Sequence, residues 1–308
     1  MTLSSRPALS VIVLTFNEER NLGACLSSLA DLTPDIFVVD SGSTDRTAAI
    51  GAESGARVVT HQFESHAKQW QWALSTLPIS TPWVLALDAD QALTPELRAS
   101  ISQRIPEWID AGSPVGAYLN RRQVFRGRWI RYGGYYPKYL LKLFRKDAVV
   151  VDTDDLVDHH FHVNGPTAML NGDLIEDNRN EDAIAVWIGK HNRYAVQQAR
   201  EETARSADPD QRPTRAFGAP DERTRYRKRI WYRMPLYVRP FGYFIYRYIF
   251  RLGFLDGKEG FIFHFMQAFW YRLLVDINRD ELSRSTPDRS ERTQTAPAKD
   301  LGTAPPRL

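Results

Sequence analysis

The first third of the chain switches repeatedly between short aliphatic runs and stretches of about ten residues with apolar positions at helical spacing. Leu9–Leu14, Ile36–Val39, Arg57–Thr60 and Trp83–Leu87 read as strands. Asn21–Leu29, Thr47–Glu53, Lys68–Leu77 and Glu96–Ile109 read as the helices between and after them, with Thr94 and Pro95 as N-cap and first-turn proline of the last. A chain that alternates in this way has few options. Each helix must cross over one face of a sheet to reach the next strand, so the pattern predicts an α/β fold with a doubly wound, mostly parallel sheet. Such sheets hold ligands in the crevice beyond the carboxyl ends of their strands.

Three polar clusters fall on that edge: Thr15–Glu18, Asp40–Asp45 and Asp88–Asp90. In Asp88-Ala89-Asp90 two carboxylates arrive just as an apolar strand ends, and they can converge on one hard cation if the strand breaks into a turn there. Oxygen ligands suit Mg²⁺ or Mn²⁺, and Mg²⁺ often takes only one or two carboxylates plus substrate phosphates. The competing reading is a solvated turn ahead of the capped helix. Asp40-Ser41-Gly42-Ser43-Thr44-Asp45 has small residues that allow close backbone approach and a carboxylate at the strand end. Asp40 can accept from a base imide or a ribose hydroxyl, while Asp45 suits a helix cap. No Gly-x-Gly-x-x-Gly or Walker loop occurs, which argues against dehydrogenase and P-loop chemistry.

The net charge of +3 gives no general argument for nucleic acid, and the single cysteine, Cys25, excludes an intrachain disulfide and fits a reducing compartment. With a strand starting at Leu9 and no apolar run long enough to span a bilayer, the chain is expected to be cytoplasmic, without signal peptide or membrane-spanning helix. Tyr139–Phe144 and Val149–Val151 read as further strands and Asp182–Arg200 as a helix. The domain organisation expected is a catalytic domain over 1–205, a linker over 206–222, a basic aromatic helical region over 223–280 and a disordered tail over 281–308. Residues 223–255 hold nine Lys or Arg and no acid, and 226–271 hold 17 of the 36 aromatics. That combination suits an anionic membrane surface, a helical subdomain packed on the catalytic fold, or single-stranded nucleic acid. Phe241–Phe250 and Phe261–Leu274 are apolar enough to lie in an interface but too short or interrupted to span it, which favours the membrane surface over nucleic acid.

Leu9-Ser-Val-Ile-Val-Leu-Thr-Phe-Asn-Glu-Glu, Val38-Val-Asp-Ser-Gly-Ser-Thr-Asp-Arg-Thr and Leu85-Ala-Leu-Asp-Ala-Asp together resemble family 2 glycosyltransferases of the GT-A fold. The resemblance implies a nucleotide diphosphate sugar as donor, a divalent metal on its diphosphate, and inversion at the anomeric carbon. It would place Thr15, Asn17, Glu18 and Ser41 by the nucleotide, Asp40 on a uracil-like base, and Asp88 and Asp90 around ribose, diphosphate and metal. Lys68 is a candidate for the diphosphate, although an exposed helix lysine is the plainer reading.

Gly127-Arg-Trp-Ile-Arg-Tyr-Gly-Gly-Tyr-Tyr-Pro, Leu140-Leu-Lys-Leu-Phe-Arg, Lys190-His-Asn-Arg-Tyr and the 247–260 stretch are similar to the lipopolysaccharide-core β-1,4-glucosyltransferase branch. That similarity implies a lipid-linked glycan as acceptor, on the inner face of the inner membrane. Inverting transfer needs a base near the acceptor hydroxyl. The branch often carries a carboxylate where this chain has His159, so Asp158 and His159 are both candidates, and Asp177 of the Glu176-Asp177 pair is the next. Two other readings remain open: a polyprenyl-phosphate glycosyltransferase, and a catalytically silent membrane-binding scaffold on the same fold.

Overall fold

The computed structural model describes residues 8–151, 161–207, 217 and 220–285. The amino-terminal part is the expected strand–helix alternation: β1 (Leu9–Thr15), α1 (Leu22–Ser28), β2 (Ile36–Asp40), α2 (Thr47–Glu53), β3 (Arg57–Thr60), α3 (His66–Thr76) and β4 (Trp83–Asp88). These strands lie parallel in the order β3-β2-β1-β4. The chain leaves β1 toward β2 on one side and returns to place β4 on the other, so the gap between β1 and β4 is the topological switch point.

Every residue of β1 is buried, as a strand covered on both faces requires. Its alternate side chains feed two cores. Leu9, Val11 and Val13 pack with Leu22 and Leu26 of α1 and with Leu97 and Ile101 of α4 (Pro95–Ala111). Ile12 and Leu14 pack with Trp70 and Ala73 of α3. Thr94 caps α4 through its hydroxyl, which accepts from Leu97 N, as the Thr-Pro start suggested, and Gly112 ends the helix in the left-handed region. Capping also moves one boundary: the Ser65 hydroxyl accepts from Lys68 N, so α3 starts at His66 rather than Lys68.

Past the short strand β5 (Gln91–Leu93), the sheet becomes mixed. β6 (Gly116–Phe125) forms a hairpin with β7 (Arg128–Trp129), and β8 (Tyr139–Arg145) inserts between β4 and β6, antiparallel to both. β9 (Val149–Val151) and β10 (Phe161–Val163) make a separate ribbon, and β11 (Thr167–Glu176) joins β6 in parallel and β5 in antiparallel. Only Ala89 and Asp90 separate β4 from β5, a span of about 10 Å at most, so the sheet curls until its far edge returns to the end of β4.

The long helix α5 (Ile184–Ala207) leads to α6 (Pro220–Arg233), α7 (Arg239–Ile245), α8 (Gly257–His264) and α9 (Tyr271–Ser285). Two π-turns, Tyr246–Phe250 and Phe265–Trp270, prolong α7 and join α8 to α9. A third core, with Phe125, Ile130, Tyr135, Trp187 and Phe263, fixes these helices on the sheet domain. Arg239, fully buried, bonds Asp276 and Glu202 and lies 4.5 Å over the Trp231 ring. Some of the basic residues of 223–255 therefore serve packing rather than the surface. α9 continues through Ser285, held by an Arg284–Asp280 pair and by Leu282 against the α5–α9 core. No helix of the described residues is long and apolar enough to cross a membrane.

Candidate active site

Register brings the polar clusters together. Thr15 stands beside Asp40 across β1 and β2, and Leu14 stands beside Asp88 across β1 and β4. All three loops therefore open on one edge, around the switch point.

The loop after β1 is built from its own polar groups. Asn17 adopts a left-handed φ of 55°, which asparagine tolerates, and its Oδ1 accepts from Thr44 N at 2.9 Å. Asn17 N and Glu18 N donate to the Ser43 and Thr47 hydroxyls at 2.8 and 2.7 Å. These bonds tie the loop after β1 to the loop after β2. Asp40 closes the second loop: it is buried and accepts from Thr15 Oγ1, Gly42 N, Ser43 N and Ser43 Oγ. Those bonds fill the roughly four acceptor positions of a carboxylate, so an incoming imide N–H must displace one of them. Ser41 N donates to Thr15 O, and Ser41 Oγ accepts from Gln69 at 3.3 Å.

Asp88 and Asp90 differ sharply in their partners. Lys142, buried on β8, donates from Nζ to Asp88 Oδ2 at 2.9 Å. Gln91 Oε1 accepts from Asp88 N, and Gln91 Nε2 donates to Glu176, whose other oxygen accepts from Arg121. The half-buried Asp90 carboxylate takes no hydrogen bond from the described residues. Burial first, then repulsion from Glu176, Asp88 and Glu18, pushes its carboxyl well above the usual range. Glu18 is also raised, mainly by burial, although Asn21 and Lys190 oppose the shift. Burial disfavours the Lys190 ammonium, but Glu181, Tyr194 and Asp90 keep it charged, above its ordinary value.

Crowded carboxylates with one unbonded member form a donor set that a divalent cation fits. Among the described residues no group of three or more His, Cys, Asp or Glu is arranged to hold a metal alone. Two aspartates completed by substrate phosphates match the way Mg²⁺ is commonly held.

Asp177 lies at the rim of this site. Its N–H donates to Asp90 O at 3.0 Å, and its carboxylate is 3.6 Å from Arg179. Arg126, Gly127, Arg179 and Asp182 line an open pocket with it. Asp158 and His159 lie outside the described residues. Lys68 is exposed and paired with Glu64.

Several residues here escaped the sequence reading. Lys142 left a trace, a lysine inside an apolar strand, but no assignment followed. Gln91, Asn178 and Asn180 left none. Asn180 Nδ2 donates to Asn17 O and Glu18 Oε2, and Asn178 Oδ1 accepts from Asn21, so the segment after β11 straps down the loop after β1. Such contacts, some 160 residues apart, have no local signature.

Residues 10–161 match the family model described as glycosyl transferase family 2. The lipopolysaccharide core biosynthesis glycosyltransferase LpsC of Rhizobium meliloti is 36% identical over 136 residues, 42% of this chain and 46% of LpsC. An uncharacterized glycosyltransferase of Rickettsia conorii, RC0292, is 35% identical over 119 residues, 39% of this chain and 40% of its own. The chain spans less than half the length of these relatives. Glucosyl-3-phosphoglycerate synthase of Mycobacterium tuberculosis, solved with Mn²⁺, UDP-glucose and phosphoglyceric acid, aligns at 23% identity and a TM-score of 0.30 over 39% of this chain and 45% of its own. Over residues 10–161, just under half of its length, the chain is thus similar to glycosyl transferase family 2.

Proposed function

We propose that this protein is an inverting, metal-dependent glycosyltransferase that moves a hexose from a nucleotide diphosphate sugar, of the UDP-sugar type, to a lipid-linked glycan. The observation that carries the reading is the Asp90 carboxylate, which takes no hydrogen bond from the described residues and is crowded by other acids at the switch point of the sheet. The family similarity and the partial identity to LpsC support the donor and acceptor classes, a lipopolysaccharide core or exopolysaccharide precursor. Thr15, Asn17, Glu18, Asp40 and Ser41 would line the nucleoside end. Asp88 and Asp90 would hold Mg²⁺ or Mn²⁺ with the diphosphate. A cation bound there neutralises charge growing on the leaving diphosphate. Lys142, bonded to Asp88 Oδ2, would hold that carboxylate in place.

The acceptor hydroxyl needs a base. Asp158 is the first candidate, then His159 and Asp177, and the rim position of Asp177 favours keeping it among them. The acceptor would come from an anionic membrane, the inner face of the inner membrane, against which the basic and aromatic helices are proposed to lie.

Calorimetric titration of UDP, with and without Mn²⁺, tests the centre of this reading. The unaltered chain should bind UDP far more tightly with Mn²⁺, and Asp90→Ala should lose the metal-dependent part while its melting curve stays close to the original. Equal affinities in the two proteins would remove the metal site.

A further inference from the structure

α7 with its π-turn and α8 form a helical hairpin, and the turn at its tip has an unusual composition. Turns between helices are normally polar, because water must solvate them. Here Phe250, Leu252, Phe254 and Leu255 crowd the tip, each exposed, Phe250 at 73%. Exposed Phe241 and Phe261 extend the apolar face along the two helices.

The one acid of the tip, Asp256, is turned inward. Its carboxylate accepts from Arg131 N at 3.1 Å and Tyr132 N at 2.9 Å. Arg251 and Lys258 beside the tip are exposed, next to the partly buried Glu259, and Arg227, Arg229 and Arg233 of α6 are exposed as well. Between Tyr226 and Leu255 there is no acid.

We infer that the tip of this hairpin inserts into an anionic lipid bilayer to about the depth of the headgroup–acyl boundary, with Arg251 and Lys258 at the headgroups. The inference rests on the lipid-linked acceptor proposed above, and it assigns the insertion to 250–255 rather than to the basic stretch 223–233. Charge selects the occupant. A second copy of the same face would set cations against cations, whereas anionic headgroups complement them.

The tip is also fastened to the sheet domain. Gly133 N donates to Arg251 O at 2.8 Å, and Arg247 Nη1 donates to Gly133 O at 2.9 Å. The segment so gripped, 130–136, contains Tyr136, whose hydroxyl reaches Asp173 of β11, the strand that ends at Glu176, just before Asp177. Insertion therefore sets the distance of the rim of the site from the lipid surface.

The chain lends itself to a direct test, because its one cysteine is buried. An environment-sensitive dye on Leu255→Cys should brighten and shift to the blue on vesicles of phosphatidylcholine with phosphatidylglycerol. The same dye on Ser54→Cys, exposed on the far helix connection, should not respond. The double change Phe250→Ser, Leu255→Ser should weaken vesicle binding at least about tenfold, given the apolar area withdrawn from lipid. UDP binding by this variant should be unchanged. Vesicle binding with a silent dye at 255 would overturn the inference in favour of contact through basic residues alone. Absence of vesicle binding would overturn it as well, and a dimer dissolved by the double change would then identify a second copy as the occupant. Failure of the unaltered chain to bind UDP would strike the glycosyltransfer reading and leave the dye result standing.

Discussion

Lys142 carries an ammonium into an almost dry strand, a costly position that its partner must offset. The partner is Asp88, which keeps about a third of its side chain exposed. Lys142→Met should therefore destabilise the fold by about 3 kcal/mol, the lower end for breaking a buried pair, because water can still reach the carboxylate left behind. Added Mn²⁺ should recover part of the loss if the two aspartates bind it, which urea denaturation in EDTA and in Mn²⁺ would measure. Asp88 and Asp90 were legible in the sequence because acids interrupt an otherwise apolar run. The lysine opposite was not, since β8 finds β4 from more than fifty residues away and antiparallel, a pairing that periodicity does not encode. Asp40 was legible as a carboxylate at the binding edge of the sheet, but the bonds that tie it into its own turn became visible only with the loop folded.

Among the elements, the strand–helix alternation through α4 was readable because each unit is local and its caps lie within a few residues. β6 and β11 were not. Each is ten residues long, and their inner positions include Asn120 and Asp173, joined to each other and to Arg122 and Tyr136. Polar residues that satisfy one another across strands erase the apolar pattern on which a strand is recognised. The connection from β7 to β8 is as demanding. Gly133 has φ 68°, and a Cβ on it would collide with the His264 ring. Gly133→Ala combines a strained backbone with overpacking, so a loss of about 3 kcal/mol is expected. The urea midpoint measures it. If the contact acts through the hairpin, His264→Ala in the same chain should restore part of the loss by clearing the space.

For the whole molecule, the gathered acids make stability depend on pH in an uncommon direction. Asp90 and Glu18 hold their protons more tightly folded than unfolded. Their contribution is fully present at low pH and is lost as pH rises from the ordinary carboxylate range through the raised folded values. The melting temperature of the cation-free protein should fall across that window, and Asp90→Asn should flatten the fall. Mn²⁺ should reverse the slope, because it binds the ionised form. Scanning calorimetry in EDTA and in Mn²⁺ would show both effects, and a slope unchanged in Asp90→Asn would assign the titration to other groups.

The antiparallel insertion of β8 also bears on synthesis. As the chain leaves the ribosome, β1 to β4 can pair with one another, but β4 then has a bare apolar edge until residue 145 emerges. An open edge of that kind invites pairing with other chains. Lys142 arrives on the strand that closes it. The nascent protein is thus most in need of a chaperone in the interval between making Asp88 and Asp90 and making the lysine that balances the first of them.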